Sequence, residues 1–410
     1  MREPSYMIVL PMNEKDIDEP DILLDNLSAN EHITIVDTKF DDEQGVIVDL
    51  KVDGKPYQMI MMPTDIEVPD MFRPQHDLTE EEYQKIDETT VGLGVYMDFD
   101  DDNAQCFYDQ LRMIDAMFPE VLAVLDCASE KLLSGRWVSL AARSSTLPSP
   151  RYLFTVQAIN DGGDEVWLHT HGMKRCGMFE LEVLCSTRAM CNDHYKVIEA
   201  FAYHMLESED GIEPGDAVFV ARAGESYIVC TAVDWKEALK FYPDAMLGAE
   251  ADREDDVHSE DTCVLMVYKC PDDEENRKYS LLQDYDDELE DNPMFMLSGS
   301  ETARMKSLAI ERIPFMKKGF ENKDNTVILK IGLTIDEQYW DDDGKPQKEH
   351  IWFELKDIKD GCVVAELTQD PYYVSGMKKG DTGTYLFEDI TDWMIFTQKG
   401  TITPDDVYKL

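Results

Sequence analysis

The sequence has few basic residues for its length. It contains 38 Lys and Arg residues against 86 Asp and Glu residues, which gives a formal net charge of −48 over 410 residues. A protein that binds nucleic acid or an anionic membrane needs a basic surface to neutralise phosphates. The charge therefore argues against both of these partners, and it favours a basic protein as the partner.

The sequence also lacks any Cys-x-x-Cys pair. Its nine cysteines are an odd number and lie scattered along the chain, so neither a disulfide framework nor a zinc-ribbon site is expected. Residues 1–21 do not combine a basic start with an apolar run, as a signal peptide does. No apolar stretch approaches the roughly twenty residues that span a bilayer. We therefore predict a reduced, cytoplasmic protein.

Four motifs that would indicate a reaction are missing as well. The sequence contains no Gly-x-Gly-x-x-Gly, no Gly-x-x-x-x-Gly-Lys-Ser/Thr, no Gly-x-Ser-x-Gly and no His-Glu-x-x-His. These motifs bind dinucleotides, cradle phosphates, present a nucleophilic serine and bind catalytic zinc. We therefore expect no cofactor, and the sequence favours a protein that is not an enzyme.

The patterns that are present predict an α+β protein. Apolar β-rich runs alternate with segments of helical periodicity, and Asp-rich and Gly-containing turns separate them. The elements that carry this prediction are strands at 6–12, 91–99, 121–128 and 136–142 and helices at 19–29 and 103–118, the last capped by Asn103. Two such β-α-β units in tandem predict ferredoxin-like α/β sandwiches.

Shifts in composition predict the division into domains. A Ser- and Pro-rich stretch at 144–151 marks one boundary, and acids dominate residues 271–292, which is typical of a solvated linker or an exposed helix. The predicted segments are an N-terminal α+β domain at 1–145, a second α+β domain at 146–270, an acidic linker at 271–292 and a small β-rich domain at 293–410.

The stretch with the most suggestive chemistry is WLHTHGMKRCGMFELEV, residues 167–183. Strand alternation places His169 and His171 on one face, and a glycine at each end of the turn allows a hairpin. Two imidazoles and the carboxylate of Glu180 would suit zinc or iron(II). The Lys-Arg pair of the turn opposes a nearby cation, so we predict a hairpin without a metal, in which a His–Glu pair is hydrogen-bonded.

The same turn raises a second possibility at Cys176. Its neighbour Arg175 is a cation, which lowers the pKa of a thiol and favours the thiolate. With a histidine nearby, a Cys–His nucleophile is an alternative, although no third group is found to orient it. The alternative hypothesis is thus a metal- or thiol-dependent hydrolase. The candidate functional residues of the hairpin are His169, His171, Arg175, Cys176 and Glu180.

Residues 349–395 carry a second pattern, which runs through Glu349-His350-x-Trp352, Asp370-Pro371, Lys379-Gly380-Asp381 and Ile390-Thr391-Asp392-Trp393. This stretch closely resembles the YegJ-like bacterial family called domain of unknown function 2314. The family has no established activity, so the resemblance implies a fold unit and no reaction. The candidate recognition surface here consists of His350, Trp352, Asp370, Pro371, Asp381 and Trp393.

Residues 1 to about 270 look like the family called domain of unknown function 4026, and more distantly like domain of unknown function 4261. The distant resemblance rests on the two-part α+β front half and on Thr170, Gly172, Gly177 and Glu180. It implies a bacterial accessory or immunity-type protein, by analogy of context. The prediction that results is a non-enzymatic cytoplasmic interaction protein whose acidic surface binds a basic protein.

Overall fold

The computed structural model describes residues 2–410 except 42, 119, 225, 254–260, 291–292, 296–297 and 341–346. The chain forms two compact units. Unit 1 consists of Met1–Ala142 and Pro148–Ser298, and unit 2 consists of Arg143–Leu147 and Gly299–Leu410. The α+β class that we predicted is confirmed.

The first half of unit 1 is a seven-stranded antiparallel sheet with helices. Its strands are β1 (Ser5–Pro11), β2 (Ile33–Asp41), β3 (Gly45–Val52), β4 (Lys55–Asp65), β5 (Val91–Met97), β6 (Val121–Asp126) and β7 (Lys131–Ser134). Its helices are α1 (Pro20–Ala29), α2 (Glu80–Glu88), α3 (Asn103–Met117) and α4 (Gly135–Ala142). The strand order is β2-β3-β4-β5-β1-β6-β7. The almost wholly apolar β1 is buried in the middle of this sheet, as its composition requires.

The two β-α-β units that we predicted share this one sheet. Strands β5 and β6 lie on either side of β1, both antiparallel to it, and α3 crosses between them. This is the split β-α-β arrangement of ferredoxin-like folds. The apolar positions of α3 are buried at helical spacing, and the side chain of Asp102, rather than the predicted Asn103, caps the helix by accepting from Gln105 N.

Residues 135–142 form helix α4, so the strand predicted at 136–142 is wrong. Trp137, Val138, Ala141 and Ala142 are buried, a spacing typical of a helix on a sheet. A Cβ atom at Gly135 would lie 1.8 Å from the carbonyl oxygen of Val121. Only glycine therefore lets the helix begin this close to β6, and the short strand β7 takes the edge position instead.

The second half of unit 1 is another seven-stranded sheet. Its strands are β8 (Thr155–Ile159), β9 (Glu165–His171), β10 (Glu180–Thr187), β11 (Val218–Ala223), β12 (Ser226–Asp234), β13 (Thr262–Val267) and β14 (Met294–Phe295). Its helices are α5 (Cys191–Glu207), α6 (Trp235–Ala238), α7 (Pro271–Glu275) and α8 (Asp286–Glu290). The order is β14-β11-β12-β13-β10-β9-β8, with β10 and β13 parallel. Helix α5 packs on one face of the sheet, and Trp167, Trp235 and Tyr242 belong to a separate core cluster.

The acidic segment 271–292 packs on this sheet at its described residues. Leu282 and Leu289 are buried in the same core cluster as the apolar side chains of α5. Gln283 Nε2 donates to the carbonyl of Leu184 over 2.8 Å, although the segment is rich in acids. Residues 271–290 therefore belong to unit 1, and the units divide at 298/299 instead of within the predicted linker. Positions 291–292 of that linker lie outside the described residues.

Unit 2 is the β-rich domain that we predicted at the C-terminus. Its strands are β15 (Thr326–Thr334), β16 (Lys348–Lys359), β17 (Cys362–Leu367), β18 (Thr382–Leu386), β19 (Ile390–Thr397) and β20 (Gly400–Ile402), and its helices are α9 (Gly299–Glu311) and α10 (Ile313–Glu321). The antiparallel order is β18-β17-β16-β15-β19-β20. Alternate apolar residues of β15 and β16 are buried, and α9 and α10 pack against β19.

Across the residues that the structure describes, no helix combines the length and the apolar character needed to cross a bilayer.

The burial of Leu289 predicts the effect of shortening its side chain. Leu289→Ala should lower the free energy of unfolding by about 2–5 kcal/mol, because it leaves a cavity in a filled core. Asp287→Ala, on the exposed side of the same helix, should change it by no more than about 0.5 kcal/mol. Chemical denaturation, with hydrogen exchange of residues 282–290, measures both. Equal effects of the two changes would show that the segment lies outside the core.

Candidate functional site

The stretch 167–183 forms a β-hairpin in the second sheet, between β13 and the edge strand β8. Strand β9 pairs antiparallel with β10, with His169 opposite Glu182. A single 3₁₀ turn over Lys174–Cys176 lies in the connection. Gly172 and Gly177 have φ angles of +112° and +77°, which side chains with a Cβ rarely adopt. The two glycines thus allow the sharp connection that the sequence predicted.

The carboxylate of Glu180 closes this connection. Thr170 Oγ1 donates to Glu180 Oε2 over 2.6 Å, and the backbone N–H groups of Gly172 and Lys174 donate to Oε1 over 2.9 and 3.2 Å. Burial raises the pKa of Glu180 to about 7, although these three donors favour the ionised form. All three hydrogen bonds are internal, so the carboxylate fixes the turn.

The two histidines of β9 are buried beside Trp167. The ring centroids of Trp167, His169 and His171 follow one another at 4.8 Å, each ring edge-on to the next. Burial lowers the pKa of His169 to about 3, with the charges of His171 and Arg253 adding to the effect. Burial likewise lowers the pKa of His171 to about 4. Both imidazoles are therefore neutral at pH 7.

The carboxylate beside His171 comes from outside the hairpin. His171 Nδ1 lies 3.3 Å from Oε1 of Glu130, a residue that follows β6 in the first sheet. The Glu130 carboxylate also accepts from Gln157 Nε2 over 2.6 Å. The predicted pairing of a hairpin histidine with a glutamate therefore occurs with Glu130, while Glu180 binds the turn.

A metal ion at the hairpin would need ligands that are grouped around it and are not held in internal hydrogen bonds. Within the described parts of the chain, no three His, Cys, Asp or Glu side chains are grouped so that they could hold a metal ion. Glu180 would have to give up three hydrogen bonds to become a ligand. The geometry therefore offers no preformed ligand set among those residues.

Cys176 is buried, and its environment opposes a thiolate. Burial raises the pKa of this thiol to about 12, and the neighbouring charge of Arg175 only partly offsets that shift. The expectation that Arg175 would activate the thiol is thus wrong, because desolvation outweighs the charge.

Arg175 points away from the hairpin and into the first sheet. Its Nη1 donates to Asp126 Oδ1 over 2.9 Å, and its Nη2 donates to the carbonyls of Tyr152 and Leu153 over 3.2 and 2.7 Å. Both side chains of the Arg175–Asp126 pair are completely buried. The turn of the second sheet is therefore tied to strand β6 of the first.

Lys131 of β7 binds the same piece of backbone. Its Nζ donates to the carbonyls of Arg151, Tyr152 and Phe154 over 3.1, 3.4 and 2.5 Å. Burial lowers the pKa of Lys131 to about 7. Two buried basic side chains, Arg175 and Lys131, thus hold the carbonyl oxygens of residues 151–154. We call the set of Asp126, Lys131, Arg175 and residues 151–154 the cation–carbonyl junction.

A second buried ion pair lies behind β10. Glu182 accepts from Nη1 and Nη2 of Arg253 over 2.6 and 2.5 Å, and also from Trp167 Nε1 over 3.1 Å. The guanidinium carbon of Arg253 lies 4.5 Å from the ring centroid of Trp235. Sequence analysis missed this pair because Arg253 stands in an acidic run that resembles solvated surface, 71 residues from its partner.

The structure separates the candidate C-terminal surface into two faces. Trp393 is completely buried and donates from Nε1 to the carbonyl of Ala309 over 2.9 Å. It is a core residue, so its assignment to a recognition surface is corrected. His350 and Trp352 lie on the other face of the sheet, where the Lys330 ammonium is 5.7 Å from the Trp352 ring centroid.

The remaining members shape the loop between β17 and β18. Asp370 Oδ1 accepts from Lys379 N over 2.7 Å, and Asp381 Oδ2 accepts from Lys378 N over 2.9 Å. Pro371 precedes Tyr372, which is 80% exposed. The two aspartates therefore have a local structural role, and the exposed aromatic groups of this loop are Tyr372 and Tyr373, which the sequence pattern did not single out.

Comparison with known protein families gives a match for three parts of the chain. Residues 5–148 match the N-terminal model, and residues 155–266 the C-terminal model, of a protein of unknown function, DUF4026. The chain belongs to the DUF4026 family. Residues 311–404 match an uncharacterized protein conserved in bacteria, DUF2314. The architecture predicted from resemblance is confirmed, and comparisons with curated proteins and with solved structures gave no match.

The cation–carbonyl junction connects the two halves of the DUF4026 region. Asp126 and Lys131 lie in the part that matches the N-terminal model, and Arg175 lies in the part that matches the C-terminal model. Residues 151–154 fall between the two matched ranges. The connecting segment is thus held by a basic side chain from each side.

Removing the charge of Asp126 should destabilise unit 1. Asp126→Asn leaves the buried guanidinium of Arg175 without its counter-ion, which should cost about 3–5 kcal/mol of unfolding free energy. Asp25→Asn, on the exposed face of α1, is the matched control and should change it by about 0.5 kcal/mol or less. Urea denaturation followed by circular dichroism measures both. A loss below about 1 kcal/mol for Asp126→Asn would contradict the role assigned to the junction.

The two buried histidines predict a pH dependence. Their folded-state pKa values of about 3 and about 4 lie below the unperturbed value of 6.5, so the unfolded chain binds more protons as the pH falls. Below pH 6.5 each histidine should remove about 1.4 kcal/mol of stability per pH unit, until its folded pKa is reached. The variant His169→Gln/His171→Gln should flatten this slope. Denaturation at several pH values between 6.5 and 4 tests this, and unchanged slopes would refute it.

Proposed function

We propose that this chain is a non-enzymatic interaction protein whose acidic surface binds a basic protein. The hairpin supports binding over catalysis, because its reactive side chains either make internal hydrogen bonds or are buried. Glu180 holds the turn, and Cys176 is a buried thiol with a raised pKa. Such a protein would act by occupying the basic surface of its partner, as the accessory or immunity-type role implied by the resemblance requires.

The observation that carries this proposal is the distribution of charge between the units. Unit 2 contains 21 acidic and 16 basic residues, whereas unit 1 contains the other 65 acidic and 22 basic residues. Nearly all of the net negative charge therefore belongs to unit 1. A field of this sign attracts a basic protein and raises its association rate, so the partner binds unit 1.

The region around α1 is one acidic surface of unit 1. Residues 12–31 contain seven acidic residues and one lysine. Leu23 and Leu27 of α1 are buried, which leaves Asp18, Asp21 and Asp25 exposed to solvent. Ile22 is 52% exposed among these carboxylates. An acidic helix with an exposed aliphatic side chain suits a basic segment that also carries an apolar residue.

Neutralising this surface should weaken capture of basic proteins. Full-length chain is immobilised, incubated with bacterial cytosol, and compared with the variant Asp18→Asn/Asp21→Asn/Asp25→Asn. Proteins released by salt should be basic, and the variant should bind the main one about tenfold more weakly, equal to about 1.4 kcal/mol. Most of the loss should be in the association rate, because exposed charges act by steering.

The control changes the same charge elsewhere in unit 1. Glu209→Gln/Asp210→Asn/Glu213→Gln alters three exposed acids that follow α5. It should retain most of the binding if the α1 surface is the site. Equal losses in both variants would assign the attraction to overall charge alone, and captured proteins of acidic pI would reject the proposal.

A further inference from the structure

We propose that two copies of this chain associate through antiparallel pairing of strand β18. This strand forms one edge of the unit 2 sheet and pairs with β17 on its inner side. An edge strand presents unpaired backbone N–H and C=O groups that can bind another strand. The inference is independent of the basic partner proposed above.

The hydrogen bonds at the two ends of β18 fix which backbone groups point outwards. Leu367 N donates to the carbonyl of Asp381 over 2.9 Å, and Phe387 N donates to the carbonyl of Gly361 over 3.2 Å. Residues of an antiparallel strand direct their backbone groups to the two sides alternately. The odd-numbered residues therefore face β17, and the even-numbered residues of β18 face the open edge.

Strand β18 lacks the features that usually protect an edge. Charged residues, bulges and short length prevent edge-to-edge pairing in most sheets. The strand at the other edge of unit 2, β20, has three residues, and the edge strand β2 of unit 1 carries Asp37, Lys39 and a bulge. In contrast, the sequence of β18 is Thr-Gly-Thr-Tyr-Leu, with regular pairing to β17.

The outward-facing positions are complementary to themselves. With a two-fold axis at Thr384, this residue lies opposite its own copy, and Thr382 lies opposite Leu386 of the partner. Every outward N–H and C=O group of the three residues then has a partner. All three residues are exposed, Leu386 by 51%. A closed dimer requires such a self-complementary surface.

The charges at the ends of β18 select a second copy in antiparallel orientation. Lys378, Lys379 and Asp381 precede the strand, with a net charge of +1, and Glu388 and Asp389 follow it. Antiparallel pairing places the lysines of one chain beside the acids of the other at both ends, whereas parallel pairing would place like charges together. Unit 2 is also close to charge balance, with 21 acidic and 16 basic residues. The electrostatic repulsion between two copies is therefore smallest when they contact each other through unit 2.

Two charge variants of the full chain test the pairing. One carries Lys378→Glu/Lys379→Glu, and the other carries Glu388→Lys/Asp389→Asn. Each variant alone brings like charges together at both ends of the strand pair, so each should sediment as a monomer. In an equimolar mixture both ends regain opposite charges, so the mixture should dimerise as the wild type does. Sedimentation velocity from micromolar to millimolar concentration measures the shift from one chain mass towards twice that mass.

A backbone variant separates strand pairing from charge effects. Thr384→Pro removes an outward N–H group, which an edge strand tolerates because that group has no partner in the sheet. It should abolish the dimer, while Thr384→Ser should retain it. A wild-type chain that stays monomeric throughout, a dimer that survives Thr384→Pro, or variants that fail to associate on mixing would each overturn the proposal. If Thr384→Pro does not fold, the mixing experiment still decides.

Discussion

The burial of two basic side chains between the sheets of unit 1 is the constraint on which the rest of that unit depends. A guanidinium or ammonium group is stable inside a protein only when its hydrogen-bond donors are used and a counter-ion is near. Asp126 supplies the counter-ion of Arg175, and the carbonyls of residues 151–154 accept from Arg175 Nη2 and Lys131 Nζ. The path of the connecting segment, the position of β6 and the turn of the hairpin are consequently fixed together.

This constraint explains why the hairpin resembles an active site in the sequence. Because Arg175 binds the buried Asp126, the turn lies in the protein interior, and Cys176 next to Arg175 is buried as well. A buried turn needs an internal acceptor for its backbone N–H groups, and Glu180 provides one. Histidine, cysteine and glutamate are therefore concentrated here as a consequence of burial. Burial shifts the pKa values of His169, His171 and Cys176 away from those that nucleophilic or acid–base chemistry at neutral pH needs. Glu180 has a pKa of about 7, but its carboxylate is held by three internal hydrogen bonds.

Local patterns predicted the fold class and the helices α1 and α3, since both follow from apolar spacing within their own segments. Helices α9 and α10 were not predicted within the β-rich C-terminal region. Local patterns also failed at α4, where a short apolar run fits a strand or a helix and the decision rests on how closely Gly135 approaches Val121. The hairpin itself was predictable from its glycines and alternation. Its partners were not, because Asp126 is 49 residues from Arg175 and no local signal marks a carboxylate as buried.

The two proposed interactions, of unit 1 with a basic protein and of β18 with its own copy, should respond differently to salt. Attraction of a basic protein to the acids of unit 1 acts over a distance and weakens as salt shortens the Debye length. Pairing of β18 depends on backbone hydrogen bonds at contact, and salt also screens the repulsion between two chains that each carry −48 charges. Added salt therefore weakens the first interaction, while it reduces the main electrostatic cost of the second. The salt dependence of each interaction therefore distinguishes the proposed binding of a basic protein from the proposed pairing of two copies.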